Sequence, residues 1–263
     1  MTTNFSKAGK LSLRGLLIPT IAMAICSTAG ATSYSGNGAT GFGGSVGTGS
    51  VSITDSLAGM NITFNRGSGT MDNDLVLYLD TQSGGFGDTS LFSDNGDPGR
   101  TAISGYNGGN PSRTIASFAS GFAADYAISI ENGFIGVFGL ASGGNGSLNY
   151  LFGQSQSGNN SDASYTISLT PIQMSQIGLT AGSGQTLFLE GTLSSGSAYR
   201  SNETIGSSIT SPDGGSAPNA GFNGSVAFTS ADAYTLTAVP EPSTLALMGM
   251  GAISSMLFYR RRK

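Results

Sequence analysis

The residues of this chain that could do chemistry are almost all oxygen donors. Its 263 residues include no histidine and one cysteine, Cys26. Without histidine no Ser-His-Asp triad can be assembled, and the usual nitrogen ligands of zinc and haem iron are missing. Carboxylates and amides cluster instead. Asp72, Asn73 and Asp74 form one group, and Asp88, Asp94, Asn95 and Asp97 another. The run Asp94-Asn95-Gly96-Asp97-Pro98-Gly99 offers oxygen donors at short spacing to a hard cation such as Ca²⁺. Asn-Gly and Asp-Pro-Gly also form turns without any metal, and no calcium-loop consensus accompanies them. The reading is therefore a fold without a cofactor, in which Asp94, Asn95 and Asp97 are the candidate calcium ligands. Asp80 and Asp125 could act as paired carboxylates, but they read better as caps on strand ends. Aromatic rings are the other candidate chemistry. Tryptophan is absent, and Tyr78, Tyr106, Tyr126 and Tyr150 are the rings that could stack on a sugar.

Two short motifs match catalytic or nucleotide-binding patterns and lack their context. Gly43-Gly44-Ser45-Val46-Gly47 fits the elbow of a serine hydrolase, and Gly36-Asn37-Gly38-Ala39-Thr40-Gly41 fits a dinucleotide fingerprint. Both mechanisms need a strand before the glycines and a helix after them. Here the glycines lie in one unbroken Gly-rich tract, so neither motif is assigned. The five Asn-x-Ser/Thr sequons of the body, at Asn61, Asn145, Asn159, Asn202 and Asn223, are expected by chance in a chain this rich in Asn, Ser and Thr.

The elements that must position these residues are short and extended. Ser50-Val51-Ser52-Ile53-Thr54 alternates with period two, as do residues 127–131 and 165–169. Leu75 to Leu79 is apolar throughout and predicts a central strand buried on both faces. Residues 134–140, 186–190 and 225–229 complete the set, with Gly, Asn and Asp between them. One helical turn is signalled, over residues 171–177: Thr170 as N-cap, Pro171 at the first position, Gln173 closing a capping box and Gly178 as the stop. The pattern predicts an all-β fold, an antiparallel, jelly-roll-like β sandwich with one short helix. The domain spans residues 50–229, after a flexible Gly-rich lead-in at 32–49 and before a linker at 230–238.

The termini carry a different kind of signal. Lys7, Lys10 and Arg14 precede a short apolar run, and Ala29 and Ala31 place small residues where a signal peptidase reads them. Residues 1–31 therefore read as a signal peptide, whose removal leaves a body without cysteine. At the other end stand Val239-Pro240-Glu241-Pro242, an uncharged apolar stretch to Tyr259, and Arg260-Arg261-Arg262-Lys263. The prolines hold Pro240, Glu241 and Pro242 extended. About 17 helical residues reach about 25 Å, the short end for a single transmembrane helix, and the terminal cations fix its orientation. This tail, residues 239–263, resembles the PEP-CTERM sorting signal of Gram-negative bacteria that make extracellular polysaccharide. The resemblance implies export, recognition of the Pro-Glu-Pro element by an exosortase, transient inner-membrane anchoring, and delivery to the cell surface or matrix. A second resemblance lies in the body. Asp74 to Thr81 followed by Gly84-Gly85-Phe86, and Phe118 to Ala127, are similar to segments of DOMON-like and family-nine carbohydrate-binding sandwiches.

Charge limits the partners. Between Thr32 and Ala238 there are four arginines, no lysine and fourteen carboxylates, a net charge of about −10. That argues against nucleic acid and anionic membrane surfaces, which bind through cationic patches. The expectation is a non-enzymatic, structural or adhesive envelope or matrix protein associated with exopolysaccharide; the alternative is a non-catalytic carbohydrate-binding module.

Overall fold

The structure, a computed structural model, describes residues 30–108, 113–210, 219–221 and 224–239, together with positions 251, 254 and 259. In chain order the elements begin with β1 (Gly30–Ser35), β2 (Ser50–Ser56), β3 (Gly59–Asn65), β4 (Asp74–Asp80), α1 (Pro98–Ser104) and β5 (Ile115–Ser117). Then come β6 (Tyr126–Ile130), β7 (Phe134–Gly139), β8 (Asn149–Ser155), β9 (Ser164–Leu169), α2 (Pro171–Gln176) and β10 (Thr186–Ser194). The chain continues through β11 (Arg200–Ile205), β12 (Ile209–Thr210), β13 (Asn219–Gly221), β14 (Ser225–Phe228) and β15 (Asp232–Thr235). Residues 30–239, so far as they are described, are mostly β, with antiparallel sheets and two short helices.

One sheet runs β1-β2-β3-β9, and a larger one β13-β11-β10-β4-β6-β7-β8. In the larger sheet β10 pairs with β4 along one edge; on the other it pairs first with β15 and then with β11. A small third sheet, β12-β14-β5, contains a parallel pair, β14 with β5. Period-two alternation explains the burial. Val51, Ile53, Met60, Ile62, Phe64, Tyr165 and Ile167 of the first sheet share one apolar cluster with Leu75, Leu77, Leu79, Ile128, Ile135 and Val137 of the second. Strand β4 is central, as its unbroken apolar run predicts: Val76 and Tyr78, on its opposite face, belong to a second cluster with Phe92, Ile103 and Phe138. Helix α2 carries both bonds of its capping box.

The Gly-rich segment at 32–49, expected as a flexible lead-in, is instead built into the fold. Residues 30–35 are the edge strand β1, paired with β2 in register from Gly30↔Asp55 to Ser35↔Ser50. Residues 36–49 wrap around Glu203 of β11, a fully buried carboxylate. Its oxygens accept the backbone N–H groups of Phe42 (2.6 Å), Gly44, Val46 and Gly47 (3.0 Å each). Successive N–H groups turned to one side form an anion-binding concavity, and here the anion belongs to the protein itself. A Cβ on Gly47 would lie 1.9 Å from the carbonyl oxygen of Ala39, so the wrap requires glycine there. The tract that mimics two motifs thus has a structural use. The expected linker at 230–238 is also incorporated, because β15 pairs with β10.

No helix among the described residues is long and apolar enough to cross a membrane. The expected signal helix lies outside the described residues. So does nearly all of the tail segment, in which Gly251, Ser254 and Tyr259 are helical.

Replacing Glu203 with alanine leaves four N–H groups, three of them buried, without an acceptor. At about 1 kcal/mol or more for each, Glu203→Ala is expected to lower the melting temperature by roughly 10 °C, measured by calorimetry. A change within about 1 °C would contradict the role given to this carboxylate.

Candidate functional site

A cleft with a volume of about 450 Å³ lies on the face of the large sheet turned toward α1. Alternation along three strands builds it. On β7, Ile135 and Val137 enter the shared core, so Phe134, Gly136 and Phe138 point the other way. On β6, Ser129 pairs with Gly136, and Glu131 follows on the same side. On β8 the register shifts: Val137 pairs with Phe152 but Phe138 with Tyr150, leaving Leu151 as the extra residue of a bulge. A bulge re-aims side chains; this one sets Tyr150 opposite Phe138, rings edge to face at 5.7 Å. Phe134 stands 6.4 Å from Tyr150 on the other side, and both rings are exposed.

The opposite wall is polar and comes from α1 and the loop before it. Asp97 is the helix N-cap, accepting the Arg100 N–H at 2.8 Å, and Pro98 occupies the first helical turn. Arg100 forms ion pairs with Asp94 at 2.7 Å and Asp97 at 3.0 Å. Its guanidinium lies 5.2 Å from the centre of the Phe138 ring. Deeper in, the Ser129 hydroxyl is buried without a partner. Glu131 is half-buried, and burial, reinforced by the charge of Asp97, raises its pKa. An aromatic wall facing two carboxylates, a guanidinium and a hydroxyl can take a ring with an apolar face and a polar rim.

A shallower depression of about 280 Å³ shares Pro98 and Glu131 with the cleft and contains Asp72, Asn73 and Asp74. Asp74 is 6% exposed, and its Oδ2 has no partner. Burial first, then the charges of Glu131 and Asp97, push its pKa up to about 8.

The structure distributes the sequence-predicted residues differently from a shared platform. Of the four tyrosines only Tyr150 lines the cleft. Tyr78 sits on the doubly covered strand β4, fully buried, its hydroxyl donating to the Ile103 carbonyl at 2.6 Å, so it cannot stack on a ligand. Tyr106 is half-buried with Arg113 over its ring at 5.4 Å. Tyr126 is half-buried beside Gln82. Asp94 accepts from the N–H groups of Gly96, Gly146 and Leu148 as well as from Arg100. Burial alone would raise its pKa, and these donors bring it below the ordinary value. Asp94 and Asp97 are thus engaged as acceptors of donors within the protein. No group of three or more His, Cys, Asp or Glu able to hold a metal ion occurs among the described residues. Asp125 accepts from Thr81 and Gln82, and Asp80 from Ala123, as strand-end caps do. Sequence reading missed Phe134, Phe138, Arg100 and Glu131. The Phe-x-Gly-x-Phe spacing of β7 is the signal that could have found two of them.

Ala31 lies in β1, whereas Ala29, Pro240, Glu241 and Pro242 are outside the described residues. Val239, the last residue described before position 251, donates its N–H to the Gly182 carbonyl at 2.9 Å. Residues 238–263 match the PEP-CTERM protein-sorting motif. The motif implies an exported protein, targeted to an exosortase for processing, with a membrane-associated C-terminal tail beforehand. Comparison with curated proteins and with solved structures returns no match.

The Asp74 pKa fixes the sign of a pH effect. The folded state holds this proton up to about pH 8, while an ordinary carboxyl near 3.8 has already released it. Its contribution to stability is therefore present below pH 3.8 and is lost as pH rises toward 8, by up to about 1.4 kcal/mol per pH unit. Asp74→Asn cannot ionise, so it is expected to melt higher than the native protein at pH 8 and close to it at pH 4. Equal melting differences at both values would contradict the assignment.

Proposed function

We propose that this protein is a non-enzymatic, adhesive component of the cell envelope or extracellular matrix, and that it holds neutral exopolysaccharide in the cleft between α1 and β6-β7-β8. The two larger sheets, facing each other across one core, are read as a β sandwich, and the PEP-CTERM tail as the device that delivers it. One observation carries the reading: the bulge in β8 turns Tyr150 toward Phe138 and Phe134, opposite Glu131, Asp97 and Arg100. Apolar C–H faces of a pyranose suit such rings, and its hydroxyls suit carboxylates and a guanidinium. The net charge of about −10 between Thr32 and Ala238 favours neutral over anionic chains. The absence of histidine, and of cysteine beyond Cys26, supports a binding role over a catalytic one.

A glycan array followed by calorimetric titration tests this. Saturable binding to a neutral polysaccharide is expected, weakened about 3- to 10-fold by Tyr150→Ala or Phe138→Ala, since an aromatic contact contributes about 0.5–1.5 kcal/mol. No saturable binding would leave a purely structural envelope protein.

The tail has its own test. Replacing Glu241 and Pro242 with alanine is expected to leave export intact and block processing, so that uncleaved protein accumulates in the inner membrane. A native mature protein that still ends at Lys263, identified by mass spectrometry, would reduce the motif to a stiff linker before a plain anchor.

A further inference from the structure

Asp55, on β2, is buried at 2% exposure and has no cationic partner among the described residues. Its Oδ1 accepts from the Tyr234 hydroxyl (2.6 Å) and the Thr237 hydroxyl (3.0 Å), and its Oδ2 from the Thr237 N–H (2.9 Å). Three neutral donors satisfy these oxygens as four satisfy Glu203, and a positive charge on the same network would strengthen it further. Next in the chain of donors stands Gly30, whose N–H donates to the Thr237 hydroxyl oxygen at 2.9 Å. The Tyr234 hydroxyl also lies 3.2 Å from the Gly30 carbonyl oxygen. A Cβ at position 30 would sit 2.9 Å from Thr237 Oγ1 and 3.0 Å from Asp55 Oδ1. The site therefore links the Gly30 nitrogen to this carboxylate through the Thr237 hydroxyl and leaves little room for a side chain at position 30.

We infer that the export signal is removed between Ala29 and Gly30, and that the new α-ammonium of Gly30 places a positive charge on the Thr237 relay to Asp55. This rests on the export reading and replaces the boundary after Ala31. Hydrolysis adds one water across the Ala29–Gly30 bond: Ala29 leaves with the leader as a carboxylate, and the Gly30 nitrogen becomes an ammonium at neutral pH. Ser27 and Ala29 supply the small residues a signal peptidase reads, as Ala29 and Ala31 would for the later cut. The later cut discards the Gly30↔Asp55 and Ala31↔Thr54 pairs of β1. It would also put the charge on Thr32, an exposed residue opposite Ile53, away from the Thr237–Asp55 relay. With the earlier cut, the relay from the ammonium through Thr237 to Asp55 joins the first residue of the exported body to the segment just after β15, three residues before Pro240.

The test uses the full chain, exported in a Gram-negative host and recovered from the envelope. N-terminal sequencing is expected to read Gly-Ala-Thr-Ser-Tyr. Between Gly30 and Arg262 there is no lysine, so acetylation of amines can reach only the N-terminus and, if the tail remains, Lys263. Acetylation is expected to lower the melting temperature of the native protein by several degrees and to leave that of Asp55→Asn unchanged. An exported protein that begins at Thr32 or elsewhere would overturn the inference and leave the export reading standing. So would equal acetylation shifts in the native protein and Asp55→Asn. A chain that keeps Met1 and stays in the cytoplasm would overturn both.

Discussion

A buried carboxylate beneath a glycine-rich loop must find several N–H donors or fail to be buried at all. This constraint organises the protein. Disulfides, the usual fasteners of exported loops, cannot form in a body whose sequence has no cysteine beyond Cys26. Acidic side chains take their place. Glu203 gathers four N–H groups of the 36–49 loop, and Asp94 gathers three from residues 96–148 together with the Arg100 guanidinium. Asp125 fastens Thr81 and Gln82, and Asp55 fastens Thr237. Hydrogen bonds to a charged acceptor contribute about 1.5–3 kcal/mol each, enough to offset part of the entropy lost by ordering flexible loops. Much of the chain's acidity is therefore internal architecture, spent on its own backbone.

The same logic carries from packing to the cleft. Asp94 fixes Arg100, Arg100 lies against Phe138, and Phe138 meets Tyr150 because the bulge in β8 places it there. Helix α1 is short, but Asp97 caps it and its buried residues Ala102 and Ile103 pack under β4. The polar wall of the cleft is thus tied to the second apolar cluster rather than hung from a free loop. A cleft built this way is preorganised, and preorganisation lowers the entropic cost of binding.

How much of this the sequence disclosed depends on the range of the interaction. Local signals were legible: the apolar run of β4, the alternation of β2 and β9, and the Thr170–Gln173 capping box all appear where the residues place them. Helix α1 was hidden because Asp97-Pro98-Gly99 satisfies a turn as well as an N-cap and first turn. Strand β3 alternates Met60, Ile62 and Phe64 and was within reach of the same reasoning. Strands β1, β11 and β15 were not, since their sequences are polar and their pairing is set by distant partners. Glu203 contacts a loop about 160 positions earlier, and no short-range pattern announces that. The cleft fared likewise. Tyr150 was named, but the register shift that gives it Phe138 as a neighbour exists only in the paired sheet.

Hydrogen exchange of the backbone amides is the most direct measurement of the central claim, that buried carboxylates hold the glycine-rich loops as firmly as the strands hold each other. The account predicts that the amides of Phe42, Gly44, Val46 and Gly47, and those of Gly146 and Leu148, exchange on the slow timescale of β4. Exchange of these amides as fast as in an open loop, with β4 still protected, would contradict it.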